Sequence, residues 1–254
     1  MNEIDWSTYY AAIWRGRKGV LKPISHLDET YLEQLVGIQL QKQALLENTQ
    51  AFLQGKEANN ALLWGARGCG KSSLIKAVFH HFKDKGLRII EIERDDLVDL
   101  LDIVDDIRDL PYRYIVFCDD LSFERNETNY RALKRVLDGS IEAKPKNTIL
   151  YATSNRKHLL PEYHSDSNDI TQKNDGEIHF GDQIEESIAL SDRFGLNLSF
   201  YTGKQKDYLE IIDFYFKDYK GDRVDLHKKA VAYATQKGIK NARTAKQFFV
   251  GWSE

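Results

Sequence analysis

Cysteine is scarce in this chain. Cys69 and Cys118 are the two it holds in 254 residues, and they stand outside any ligand-spaced set. Neither a disulfide framework nor a zinc site is indicated, and both thiols are expected to be reduced. No apolar run approaches the roughly 20 residues that a membrane span needs. The start Met1-Asn2-Glu3-Ile4-Asp5 lacks the charged and apolar regions of a signal peptide. These absences point to a cytoplasmic protein with no membrane partner. Strong charge is missing as well: a net −3 gives no reason to expect nonspecific DNA binding over the whole surface. That total hides a local bias. Between Glu162 and Glu186 eight carboxylates face Lys173 alone, a local −7 that leaves +4 elsewhere. Few apolar residues and clustered Ser, Asn, Asp and Gly make this stretch read as a mobile loop. His158, His164 and His179 lie near it at irregular spacing and give no reason to propose a metal site.

What the chain does have is Leu62-Leu63-Trp64-Gly65-Ala66-Arg67-Gly68-Cys69-Gly70-Lys71-Ser72-Ser73. It satisfies G-x-x-x-x-G-K-[ST], with a short apolar run before it and a helical pattern after it. Glycines at 65, 68 and 70 allow backbone conformations that a Cβ would forbid, so successive N–H groups can wrap a diphosphate. The following helix adds its N-terminal dipole. Lys71 is placed to reach the β- and γ-phosphates of ATP, and the Ser72 hydroxyl to complete a Mg2+ site.

Strand and helix patterns alternate around this loop. The spacing of Trp6, Tyr9, Tyr10, Ile13 and Trp14 predicts a short helix with an apolar stripe, ended by Arg15-Gly16-Arg17-Lys18. A stripe packing back on its own domain is favoured over docking a partner or stacking on single-stranded nucleic acid. Leu40, Ala44, Leu45, Phe52 and Leu53 form the apolar side of the next helix. Leu87 to Glu93 reads as a strand, and Leu97, Leu100, Leu101, Val104 and Ile107 as a helix capped by Asp95 or Asp96. The strand Tyr114 to Cys118 ends in Asp119-Asp120, which reads as the second half of a P-loop NTPase site: Asp119 is expected to hold the Mg2+ shell and Asp120 to polarise the attacking water, the alternative being a surface turn with two solvated aspartates. A helix from Asn129 to Leu137 and a strand from Thr148 to Ser154 follow, the latter ending at Asn155-Arg156. Ligands bind at such carboxyl strand ends in open α/β sheets. Ile184 to Ala189 looks helical, and Leu196 to Tyr201 alternates like a last strand. Three helical patterns close the chain: one capped by Thr202 and carrying Tyr208 to Tyr215, one from Val224 to Thr235, and one from Ala242 to Trp252. The boundaries that result are an N-terminal arm at 1–30, an α/β nucleotide-binding core at 31–201 and a helical lid at 202–254.

The order of these motifs resembles the AAA+ ATPases over nearly the whole chain from about Leu35. Within that superfamily, Leu63 to Ser73, Phe117-Cys118-Asp119-Asp120-Leu121-Ser122-Phe123, Tyr151 to Arg156 and Leu190-Ser191-Asp192-Arg193-Phe194-Gly195 look most like a family of prokaryotic ATP-binding proteins catalogued as a domain of unknown function. The resemblance implies a parallel P-loop sheet flanked by helices with a small all-helical lid. It further implies that Val36 and Gly37 lie near the adenine and that Asn155 is the sensor-1 residue. Arg193 is by the same likeness an arginine finger presented to ATP on a neighbouring subunit, and Arg243 is sensor 2 on the lid. Guanidinium suits these tasks because its rigid fork matches a phosphoryl group. Pairing of Arg193 with the acidic loop, a capping role for Arg243, and Arg156 as an alternative finger stay open.

Vigorous AAA+ hydrolases are expected to carry Glu after the metal-binding Asp, and Asp120 is one methylene shorter. Replication initiators of the superfamily share paired aspartates and are regarded as slow switches. The expectation is therefore a slow ATP hydrolase, a nucleotide-dependent switch that assembles on or remodels an unknown protein partner. A vigorous remodelling motor is the alternative, and a small-molecule phosphotransferase a more distant one. A homo-oligomer follows from a trans-acting Arg193. Nucleic-acid contact stays open through Arg15 to Lys18 and the lid residues Lys237, Lys240, Arg243 and Lys246.

Overall fold

A central parallel sheet forms because the apolar runs alternate between two faces and each needs a helical cover. The structure, a computed structural model, describes residues 4–123, 128–138, 145–156, 159, 171–172, 178–179 and 190–252. Its seven-stranded sheet runs β2-β1-β4-β5-β6-β3-β9. The strands are β1 (Ala11–Arg15), β2 (Val20–Pro23), β3 (Ala61–Gly65), β4 (Leu87–Ile92), β5 (Arg113–Cys118), β6 (Thr148–Ser154) and β9 (Leu196–Phe200). All neighbours are parallel except β1 and β2. A separate two-residue ladder pairs β7 (Thr171–Gln172) with β8 (Ile178–His179). Otherwise the acidic stretch, the helix expected at 184–189, His158 and His164 lie outside the described residues.

Alternation along each strand feeds two cores. Leu62, Ile90, Ile92, Val116, Leu150 and Ala152 pack on one side with α3 (Leu100–Ile107) and α4 (Thr128–Asp138). Leu63, Ile89, Ile115, Phe117 and Tyr151 pack on the other with α1 (Gln39–Leu53) and α2 (Lys71–Phe82). A third cluster belongs to the lid, α5 (Gln205–Tyr215), α6 (Arg223–Gln236) and α7 (Ala242–Val250), and gathers Tyr208, Ile212, Phe216, Leu226, Ala230 and Phe248. No helix among the described residues is long and apolar enough to cross a membrane.

Four local expectations are corrected. The N-terminal stripe is a strand, not a helix: Ala12 and Trp14 enter one core and Ala11 the other, a period of two fixed by pairing with β4. Gly16 to Lys18 form the turn of the β1–β2 hairpin, with Gly19 in the left-handed region (φ 58). The arm does pack on its own domain. Arg88, buried under Tyr10 and Tyr112, donates to the Trp6 carbonyl, and the Trp14 indole donates to Asp99 at 2.9 Å. Leu40 is 81% exposed, because α1 turns Leu45, Thr49 and Phe52 inward instead. Neither Asp95 nor Asp96 caps α3; a 3-10 segment, Arg94–Asp99, leads into it, and the Asp96 carboxylate accepts from the Gly16 N–H. Thr202 is not the cap of α5, whose start is held by Asp207 accepting from the Lys204 N–H at 2.6 Å. Substituting Trp14→Ala deletes an indole that is 3% exposed, and urea denaturation should register a loss of about 3–5 kcal/mol.

Candidate functional site

Parallel strands deliver their carboxyl ends to one edge of the sheet, and the glycine loop leaves β3 there between β6 and β9. Gly65 takes φ 129 at the strand end, where a Cβ would stand 1.9 Å from the Phe200 carbonyl oxygen. The next residue uses that closeness: the Ala66 N–H donates to the same oxygen at 2.9 Å. Gly70 (φ 90) starts α2, so the loop curls back before the helix begins. Lys71 is 7% exposed. Its Nζ donates to the carbonyls of Gly65 and Ala66 at 2.8 and 2.9 Å and to Asn155 Oδ1 at 3.1 Å. Burial pulls the ammonium pKa down, against the pull of Cys69, Asp120 and Asp119. Burial likewise pushes the Cys69 thiol up, against the pull of Lys71.

Asp119 joins three elements. Its Oδ1 accepts from Ser72 Oγ on α2 at 2.6 Å and from Thr153 Oγ1 on β6 at 2.5 Å. Asp120 takes φ 53, the one positive φ outside glycine among the described residues. Such a conformation costs about 1–2 kcal/mol and persists where neighbours enforce it. Here the Asp120 N–H donates to Thr153 Oγ1 at 2.9 Å and the Leu121 N–H to the Thr153 carbonyl at 2.6 Å. The Asp120 carboxylate accepts from Asn155 Nδ2 through Oδ1, and its Oδ2 lies 4.0 Å from the Arg67 guanidinium.

The loop, the two aspartates, Asn155 and the lid enclose a cavity of about 760 Å³. Arg67 to Ser73 line one wall, Val36 and Ile38 another, and Tyr215, Arg243 and Lys246 come from the lid. Gly37 adopts φ 80 between Val36 and Ile38. The lid touches the loop directly: Asn241 Nδ2 donates to the Arg67 carbonyl at 2.8 Å, and the Arg243 N–H to the Gly68 carbonyl at 3.3 Å. Gly68 (φ 74) makes that approach feasible, since a Cβ would stand 2.5 Å from Asn241 Nδ2. Asn241 also caps α7 by accepting from the Thr244 N–H at 2.9 Å.

Three calibrated glycines, a buried ammonium, and a hydroxyl and carboxylate set for a hard divalent cation fit a nucleoside phosphate with Mg2+. Thus the cavity brings together Asp119, Asp120, Asn155, Lys71, Ser72 and Arg243. Arg193 stands on the turn before β9 and is not among the residues lining its own chain's cavity. Arg156 is exposed beyond β6. Reading the sequence missed Thr153 and Asn241. Thr153 carried no signal beyond its place at a strand end, whereas Asn241 stood one residue before a helical pattern, where Asn caps helices. Among the described residues no cluster of His, Cys, Asp and Glu is set to hold a metal without a phosphate.

Residues 7–254 match the family model described as Protein of unknown function (DUF815). The chain belongs to that family. No curated protein matches it. Among solved structures, this DUF815 chain is similar to a variant of Thermotoga maritima RuvB at a TM-score of 0.50 and 17% identity, covering 87% of this chain and 72% of that one. It is similar also to the Aeropyrum pernix ORC1 protein in complex with DNA, at a TM-score of 0.56 and 15% identity over 83% of this chain and 58% of that one. The DUF815 fold is accordingly that of an AAA+ P-loop protein, a sheet flanked by helices and followed by a helical lid. Replacing Gly68 by Ala sets a Cβ against Asn241 and Arg243 at a left-handed position. Hydrogen exchange at residues 241–245 should quicken, with a stability loss of about 1–2 kcal/mol.

Proposed function

We propose that this DUF815 protein binds ATP with Mg2+ and hydrolyses it slowly, as a nucleotide-dependent switch that assembles on or remodels a macromolecular partner. The observation that carries the reading is the meeting of loop and lid: Asn241 and Arg243 hydrogen-bond the carbonyls of Arg67 and Gly68. Whatever fills the loop then biases where the lid rests, and a ligand shifts such an equilibrium by its differential affinity for the two arrangements.

The backbone of Gly65 to Ser73 and the Lys71 ammonium would hold the phosphates, Ser72 with Asp119 the cation, and Val36 with Gly37 the base. Bound Mg·ATP supplies the scissile phosphoanhydride and the charge that these groups neutralise. Asp120 acts as the proton acceptor for water, and Asn155, which already donates to its carboxylate, fixes the direction of that acceptance. Arg243 adds a lid cation. Arg193, set away from its own cavity, serves a neighbouring subunit, which makes association part of the site. The short reach of Asp120, one methylene less than Glu, supports slow turnover over a vigorous motor. The partner is a protein or a nucleic acid; the exposed Arg17 and Lys18 of the hairpin turn and Lys237 and Lys240 of the lid are among the cations away from the cavity wall.

Titration calorimetry should give heat for Mg·ATP with the wild type and none with Lys71→Ala; no heat from folded wild type removes the reading. Turnover should fall by about 100-fold in Asp120→Asn while ATP is still bound. Neither Arg193→Ala nor Lys71→Ala should turn over alone, and mixing them should restore part of the activity, because each supplies what the other lacks. Restoration that fails while both variants associate rules out action of Arg193 across subunits.

A further inference from the structure

We propose that Arg67 is a brake on hydrolysis, a positioning residue whose guanidinium pairs with Asp120 and competes for the carboxylate oxygen that water needs. This rests on the ATPase reading above. The phosphate-binding loop asks only for backbone N–H groups at this position, so the motif itself gives no reason for a cation here. The geometry supplies one. Arg67 and Asp120 line the same cavity, and the Arg67 guanidinium lies 4.0 Å from Asp120 Oδ2 while Asn155 Nδ2 occupies Oδ1. Both oxygens of the proton acceptor thus face protein donors. Asp120 sits on a left-handed backbone that Thr153 holds, on the cavity wall it shares with Arg67.

The same residue is gripped from behind. Its carbonyl accepts from Asn241 of the lid, a side chain that is itself buried. Lid position therefore sets the backbone from which the guanidinium projects, and the brake follows the lid. The pair is exposed, 74% and 60% at the two side chains, so its grip is modest and a competing anion can release it.

The test is single-turnover and steady-state hydrolysis of Mg·ATP by the full chain. Arg67→Gln should raise kcat by about two- to fivefold, the factor an exposed ion pair sets, with no fall in KM. Arg67→Lys keeps the cation and should stay near the wild-type rate. The gain from Arg67→Gln should vanish in the Asp120→Asn background, since the pair is then already broken. A kcat that is unchanged or lower in Arg67→Gln, with calorimetric binding intact, overturns the brake and leaves the ATPase reading standing. A gain that persists without the Asp120 carboxylate overturns it equally. Absence of any binding heat in the wild type withdraws the nucleotide site and the brake together.

Discussion

Everything at this site depends on β3 lying between β6 and β9 in parallel register. That arrangement puts three strand ends side by side, and the loop leaves the sheet where Gly65 has no room for a side chain against the Phe200 carbonyl. A larger residue there forces β9 away from β3, and the lid is attached directly after β9. Sheet pairing, loop shape and lid placement are consequently one constraint rather than three. The small hydroxyls of Ser72 and Thr153 then tie α2 and β6 to Asp119, so the carboxylate is shared among elements far apart in sequence.

The polar side chains of the site bond to one another and to the loop backbone. Lys71 bonds to loop carbonyls, Asn155 to both Lys71 and Asp120, and Ser72 to Asp119. Each of these groups carries charge or a strong dipole, and each loses much if buried without a partner. A ligand entering here exchanges one set of bonds for another, so the gain on binding is a difference.

Much of the fold was legible because its signals are local. The glycine spacing around Lys71, the apolar run ending in Asp119-Asp120 and the strand ending at Asn155 all depend on residues adjacent in sequence, and all three converge in the structure. What was illegible depends on distant partners. Trp6 to Trp14 carry apolar residues at helical spacing, yet β4, some 80 residues later by register, draws Ala11 to Ile13 into the sheet. Asp96 looks like a helix cap by position, but the hairpin supplies it with the Gly16 N–H from across the molecule, as it supplies Asp99 with the Trp14 indole. The bond between Asn241 and Arg67 joins residues 174 apart in sequence, and no local pattern encodes it.

The sheet order also bears on how the chain is made. β1 pairs at once with β2 but finds its parallel neighbour only when Ile89 to Glu91 emerge, and β3 has no lateral partner until Tyr151, with its second only at Leu196. Synthesis proceeds from the N-terminus, and such long-range closures are slow relative to helix formation. The strand that launches the phosphate loop therefore waits for both partners until the last strand of the sheet is made, and a ribosome stalled before residue 196 displays a nascent chain with one side of β3 unclothed.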